Sequence, residues 1–320
     1  IVIPDNARPD EQKAASVLQH YIHLMSGATL PIVPESDYEG KTAIYIGKIK
    51  KGSAPAVRYD GFQISTDDAA VYIRGASGKG TLYGVYTFLE AYLGCRKYAG
   101  GEPAFVPDQK DITVASGIRD VQSPKFVFRQ TYYPASNDPE YLDWHKLHRF
   151  EDLWGLWGHS YFKLLPPEQY FAAHPEYYSL IQGRRQPVQL CLSNEEVFRH
   201  TVAYLRKAVQ QRPDALYWSI SPNDEPLYCT CDECAKADAE EGGPQGSLIR
   251  FVNRVAAVFP DQYFTTLAYT YTSRPPRETR PARNVYVLLS SIDAYRTRPL
   301  TSESSAAGFR KDLDDWSAVT

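Results

Sequence analysis

The residues best suited to chemistry fall in one short segment, Ser221-Pro222-Asn223-Asp224-Glu225. There the run Tyr217-Trp218-Ser219-Ile220 passes directly into an amide and two carboxylates bracketed by Pro222 and Pro226. The prolines restrict the turn. Adjacent carboxyl groups raise each other's proton affinity, which lets one remain an acid near neutral pH. Splitting a glycosidic bond needs such an acid at the leaving oxygen and a second group to stabilise or attack the anomeric carbon. Asp293, beyond the apolar run Val285 to Ser291, is the candidate partner for Asp224 or Glu225; a substrate-assisted reaction would need no protein nucleophile. Asn223, His159, Tyr133, Tyr269, Tyr271 and Trp157 are the polar and aromatic residues placed to line a sugar subsite, aromatic rings offering an apolar face with a polar edge. The plainer reading of Ser221 to Glu225 is a solvated turn rich in Asn, Asp and Pro.

Just downstream, Cys229-Thr230-Cys231-Asp232-Glu233-Cys234 sets three cysteines within six residues, with Cys191 and Cys95 the remaining two of five. Cys191, Cys229, Cys231 and Cys234 fit either a four-sulfur structural zinc site or a disulfide in an oxidising compartment. Both would pin the loop that follows the carboxylates, and neither supplies a cofactor to catalysis. His145 and His148 share helical spacing with Trp144 and read as packing or surface residues. Gly75-Ala76-Ser77-Gly78-Lys79-Gly80-Thr81 imitates a phosphate-binding loop, but its Lys-Gly-Thr order breaks the required spacing, leaving a turn into a helix.

The elements that must hold these residues fall into two groups. Ala14, Leu18, Tyr21, Ile22 and Met25 recur at helical spacing between a Pro9-Asp10-Glu11 first turn and Gly27. Short strands follow at 43–46, 61–65 and 70–74, then a helix carrying Leu82, Val85, Tyr86, Leu89 and Leu93 up to Gly94. These make a small α+β sandwich over 1–118, with a further strand at 111–115 near its end. From 119 the chain turns rhythmic: strands at 126–133, 153–162, 188–192, 215–221, 263–271 and 285–291 alternate with helices at 139–150, 194–211, 245–259 and 304–316. Alternation of this kind indicates parallel βαβ units. The accumulation of polar and aromatic residues at successive strand ends favours a (β/α)8 TIM-type barrel over a doubly wound sheet. Six strands do not close such a barrel, so the reading over 119–320 is of an incomplete one, with Asp224 and Glu225 after its fourth strand.

Composition narrows the partners. Thirty-five Lys and Arg against 38 Asp and Glu give a net charge of −3, without the basic footprint of a nucleic-acid binder. No apolar run is long enough for a membrane span. The 24 tyrosines, 13 phenylalanines and 5 tryptophans mostly fill core and seams, and carry function only beside a candidate site.

Two stretches resemble known families. The 11–27 helix with Met25-Ser26-Gly27 and Leu30-Pro31-Ile32, and the later Gly80-Thr81-Leu82-Tyr83-Gly84-Val85-Tyr86-Thr87-Phe88-Leu89, are similar to the N-terminal domain shared by family 20 β-hexosaminidases and family 67 α-glucuronidases. The rest resembles an uncharacterised bacterial family of polysaccharide-associated barrel proteins. That likeness rests on Gln189-Leu190-Cys191-Leu192-Ser193-Asn194, Ser221-Pro222-Asn223-Asp224 and the cysteine triplet. The resemblance implies a glycoside hydrolase acting on a complex glycan in the periplasm or outside the cell. In family 20 an Asp-Glu pair at this strand end divides the work, Asp orienting the substrate acetamido group and Glu acting as acid; here Pro222-Asn223 replaces the preceding Gly-Gly. A barrel that binds carbohydrate without catalysis, or a metal-dependent hydrolase built on the cysteines, are the alternatives.

Overall fold

The computed structural model describes residues 1–48 and 56–320. The chain is a mixed α/β protein that divides into two compact units, Ile1–Arg149 and Phe150–Thr320.

In the first unit, β1 (Val2–Ile3), α1 (Pro9–Ser26), β2 (Val33–Pro34), β3 (Ala43–Ile46), β4 (Phe62–Thr66), β5 (Ala70–Gly75), α2 (Gly78–Ala91), β6 (Arg119–Gln122) and α3 (Pro139–Trp144) follow in order. The strands form one mixed sheet ordered β2-β1-β3-β5-β4-β6. Helix α1 begins where the sequence places it: Pro9 occupies the first turn and Glu11 accepts from the Arg8 backbone and guanidinium. Gly27 ends it at φ +78°. Its buried stripe contains Ala14, Leu18, Tyr21, Ile22 and Met25, and packs with Leu82, Val85, Tyr86 and Leu89 of α2 in one core. The imitation phosphate loop is a helix cap, the Ser77 hydroxyl accepting from the Gly80 N–H at 3.0 Å. Gly84 lets α2 lie close on the sheet, since a β-carbon there would stand 2.7 Å from Ile73 Cγ2.

Two sequence expectations are corrected here. Residues 111–115 form no strand; Ile112 and Val114 pack on the core without a ladder, and the sheet's last strand is the polar β6, antiparallel to β4. Residues 126–133 form no strand either. The Arg129 side chain fastens that segment instead, donating to Lys146 O, Phe126 O and Asp60 Oδ2. The expected change of organisation at 118–119 therefore differs from the observed division at 149–150. Residues beyond 118 stay with the first unit through β6 and through α3, whose Asp143 pairs with Lys13 and Lys79 and whose Trp144 is buried between Tyr21 and Tyr86. His148 and His145 are structural, bonded to Asp60 and the Lys97 carbonyl.

The second unit contains α4 (Phe150–Leu153), β7 (Trp154–Leu156), α5 (Tyr161–Leu164), α6 (Pro167–Tyr170), β8 (Tyr178–Ile181), β9 (Arg184–Leu190), α7 (Glu195–Gln211), β10 (Tyr217–Ser219), α8 (Asp232–Glu241), α9 (Gln245–Val258), β11 (Tyr263–Ala268), β12 (Val285–Leu289) and α10 (Ala307–Ser317). Strands β7, β10, β11 and β12 are parallel neighbours in chain order. No reversal of order occurs, so the sheet has no topological switch point of the doubly wound kind. Leu156, Trp218, Phe264 and Val285 point to one face, where they share a core with Val197 and Leu205 of α7 and Leu248, Phe251 and Val255 of α9. Strand alternation sends Tyr217, Ser219, Tyr263, Thr265 and Tyr286 to the other face. Gly155 in β7 accommodates the Trp218 ring, where a β-carbon would lie 2.2 Å from Cη2.

The expected barrel strand at 188–192 is the end of β9, and β9 pairs antiparallel with β8 in a separate hairpin. Gln182 and Gly183 carry φ of +50° and +76°, the paired left-handed residues of a tight hairpin turn. With β9 outside the sheet, β7 and β10 are direct neighbours. Asp224 and Glu225 thus follow the second strand of the observed parallel sheet, not a fourth. Among the described residues no helix is long and apolar enough to cross a membrane.

Candidate active site

Each strand of the parallel sheet delivers a different group at its C-terminal end. After β7 comes His159. Its Nδ1 lies 2.5 Å from the Pro222 carbonyl, and because a carbonyl only accepts, Nδ1 carries the proton. After β10 comes Asn223-Asp224-Glu225, after β11 Tyr269, and after β12 Asp293.

Buried hydroxyls fix the two loops that carry the first two groups. Ser219 Oγ donates to Gly158 O at 2.8 Å, and Ser221 N donates to Ser160 Oγ at 2.9 Å while Ser160 N donates back to Ser221 O at 3.1 Å. A more consequential support comes from Gln189 in β9, which is 1% exposed. Its Oε1 accepts from Asn223 N at 2.8 Å and its Nε2 donates to Asn223 O at 2.9 Å and Glu225 O at 3.3 Å. The sequence around Gln189 does not mark it for this role, although it lies in Gln189-Leu190-Cys191-Leu192-Ser193-Asn194.

Tyr269 is where the site converges. Its hydroxyl is held above the ordinary phenol range, first by hydrogen bonding with Asp224, then by burial, then by the charges of Asp224 and Asp293. The His159 ring stands 6.0 Å from the Tyr269 ring, centroid to centroid. The backbone beyond Tyr269 is strained: Thr270, a β-branched residue, has φ +50°. Thr272, buried, steadies this turn by donating to Leu267 O and Tyr269 O. Tyr269 and Asp293 line one cleft together with Ser290, Ser291 and Asp312 of α10, residues that sequence reasoning did not single out.

Of the expected site residues, the structure brings Asp224, Tyr269, Asp293 and His159 together. Glu225 is exposed beside Asp224, with its backbone tied down by Asn223 and Gln189. Asn223 serves the loop rather than the cleft, its amide donating to Val188 O at 2.9 Å. Trp157 stacks on Phe150 at 3.6 Å and meets Trp154 edge-on. Tyr271 lies against Tyr228, in a cavity shared with Gln189, Pro222 and Cys234. Tyr133 belongs to the first unit and is 76% exposed.

The four cysteines gather in the second unit, their sulfurs all within 4.8 Å of one another. Hydrogen bonds from the Cys229 and Cys234 thiols hold Cys191 well below the ordinary thiol range, and the same contacts push Cys229 and Cys234 up.

The profile of one protein family, "Domain of unknown function (DUF4838)", matches residues 98–320. The chain belongs to this family. A search of curated proteins returns no match. Among solved structures, the DUF4838 chain is similar to the GH20 β-N-acetylhexosaminidase of Streptomyces coelicolor A3(2), with 13% identity over 97% of this chain and 68% of that one at a TM-score of 0.48. It is also similar to the chitobiase of Flavobacterium johnsoniae, with 13% identity over 90% of this chain and 50% of that one at a TM-score of 0.49. A third is the β-N-acetylhexosaminidase of Bacteroides fragilis, with 10% identity over 90% and 65% of the two chains at 0.48.

Proposed function

We propose that this chain hydrolyses glycosidic bonds in a complex glycan, using carboxylates at the ends of its parallel strands. The observation that carries the reading is the delivery of Asp224, Tyr269 and Asp293 beyond the C-terminal ends of three adjacent parallel strands, with Tyr269 and Asp293 lining one cleft. Acidic groups delivered from neighbouring strand ends are what glycoside hydrolysis requires, and a phenol beside them can orient a sugar or a carboxylate. Asp224, engaged by the Tyr269 hydroxyl, is the oriented carboxylate. Glu225, exposed and free to reach the leaving oxygen, is the proton donor, and Asp293 is the partner that stabilises or attacks the anomeric carbon. His159, its Nδ1–H held by Pro222 O, presents Nε2 to a sugar hydroxyl.

The sequential parallel strands further support reading the second unit as part of a (β/α)8 barrel, whose active sites lie at this end of the strands. Glycans of this kind lie outside the cytoplasm, and we place the chain in the periplasm or the medium. The metal-dependent alternative is disfavoured because four cysteine ligands would fill a tetrahedral shell and leave no open position for water.

The test is a screen of aryl glycosides and plant or host glycans with the wild-type chain, Asp224→Asn and Glu225→Gln. Loss of the proton donor should cost about 10²–10⁴-fold in kcat, least for aryl leaving groups that depart without protonation. Unchanged hydrolysis in Asp224→Asn would remove that residue from the mechanism. Glycan binding with no turnover of any substrate would favour a carbohydrate-binding barrel instead.

A further inference from the structure

The four cysteines come from three separate places. Cys191 follows the last residue of β9, Cys229 and Cys231 sit in the loop beyond Asp224 and Glu225, and Cys234 lies in the first turn of α8. Cys191, Cys229 and Cys234 are 2%, 6% and 1% exposed, and Cys231 is half-buried. The four are free thiols rather than two bonded pairs. The Cys191 and Cys231 sulfurs are 3.6 Å apart, and no pair among the four exceeds 4.8 Å. Four sulfurs each about 2.3 Å from a central ion would be separated by about 3.8 Å along the edges of a tetrahedron. The observed spacing is that of a coordination shell around one centre. Two disulfides would draw two of the distances to about 2 Å and separate the pairs.

The surroundings answer the charge that such a shell would carry. Four thiolates around a divalent ion leave two negative charges, which a buried site tolerates only with donors aimed at the sulfurs. Leu180 N donates to Cys229 Sγ at 3.3 Å, and the Arg185 guanidinium reaches the same sulfur at 3.9 Å. The Ser193 hydroxyl stands 3.4 Å from Cys191, 3.4 Å from Cys231 and 3.2 Å from Cys234. Cys231 is the N-cap residue of the ten-residue α8, so the positive end of that helix faces the sulfurs of Cys231 and Cys234. The group contains no histidine or carboxylate, which marks a closed structural site rather than a catalytic one.

We propose that Cys191, Cys229, Cys231 and Cys234 bind one zinc ion as a closed tetrathiolate site that fastens the β8–β9 hairpin to the loop carrying Asp224 and Glu225. Zinc suits four soft thiolates in tetrahedral array and has no redox chemistry of its own. Coordination would also keep four adjacent thiols from oxidising in the compartment proposed above, where unprotected pairs form disulfides. The site stands independently of the hydrolase reading, because its evidence is the sulfur geometry and the donors around it.

The experiment is metal analysis of the wild-type chain purified without chelator from zinc-supplied cells, with intact-mass measurement and thiol titration on the same sample. The expected result is about one zinc per chain, with the four site thiols protected until chelation or unfolding, since structural zinc and folding are coupled, and the buried Cys95 thiol as the fifth to react on unfolding. Cobalt exchanged into the chain should give the charge-transfer absorption of a tetrahedral thiolate site. Cys231→Ser, the most exposed ligand, should lower zinc affinity by at least about tenfold. Metal-free wild-type protein would overturn the proposal, as would a mass lowered by the four hydrogens lost to two disulfides. The wild-type measurements decide the matter even if the Cys231→Ser chain fails to fold.

Discussion

Replacing Gln189 by leucine isolates the support beneath the acidic loop. The side chain is 1% exposed and makes three hydrogen bonds to the loop backbone, to Asn223 N, Asn223 O and Glu225 O. Leucine keeps most of the volume, so the change reports the lost hydrogen bonds rather than a cavity. Glu225 is exposed, and its carbonyl regains a partner from water. Asn223 is half-buried; its C=O keeps the Glu225 N–H at 2.8 Å, so its own N–H is the group left without a partner, at about 1–3 kcal/mol. The expected loss is about 1–3 kcal/mol, or about 2–12 °C in Tm for a unit of this size. Urea unfolding followed by tryptophan fluorescence measures it, because Trp218 in the neighbouring β10 is fully buried; the midpoint should fall with the slope unchanged. Gln189→Glu, which keeps an acceptor for Asn223 N but turns a carboxylate onto two carbonyls, should lose at least as much. A Gln189→Leu chain within about 0.5 kcal/mol of wild type would show that the loop is held elsewhere and that Gln189 is not a positioning residue.

Three further outcomes follow from the second unit. Gly155→Ala forces a β-carbon to 2.2 Å from the Trp218 ring and should destabilise by about 1–3 kcal/mol, read from the same urea titration. Glu241, 1% exposed, accepts from the Thr279 hydroxyl, Thr279 N, Glu278 N and Arg250; burial alone would raise its carboxyl, yet these bonds hold it at about 2, below the ordinary 4.5. Its stabilising contribution is therefore complete above the ordinary value and is lost as pH falls through the folded one. Stability measured between pH 5 and 2 should drop more steeply for wild type than for Glu241→Gln, and parallel curves would contradict the assignment. Tyr269, raised above the ordinary phenol value, stays protonated through neutral and mildly alkaline pH, so no fall in hydrolysis up to about pH 10 should trace to it. Tyr269→Phe should lower kcat throughout that range, and a Tyr269→Phe chain of wild-type activity would remove the hydroxyl from the site.

The parts of the fold that the sequence made legible are those where one face is buried. The stripe Ala14, Leu18, Tyr21, Ile22 and Met25 and the strand Ala43 to Ile46 are found where periodicity puts them. Alternation reports which side chains are buried, but not whether the backbone has a ladder partner. That is why Ile112 and Val114 imitated a strand while β6, with Arg119 and Gln122 exposed, left no apolar trace. The hairpin carried a signal that was passed over: Gln182-Gly183 between two extended runs is a short-range turn, and it decides that β9 is antiparallel and outside the sheet. At the site, the acidic and phenolic residues at strand ends were visible in the sequence because parallel strands place them so. Gln189 was not, because a side chain that bonds to distant backbone leaves no pattern in its own neighbourhood.

The same strand explains why the loop needs two supports. Gln189 lies in β9 and Cys191 just past its end, and both meet the loop that follows β10. Gln189 holds the start of that loop through Asn223, and Cys191 meets its far end at Cys231, 3.6 Å away. Between these anchorages, Asp224 and Glu225 are exposed, and their ordering depends on the two ends. A hairpin outside the parallel sheet thus fixes carboxylates that the sheet delivers. The departure of β9 from its expected place among the parallel strands is what makes that arrangement available.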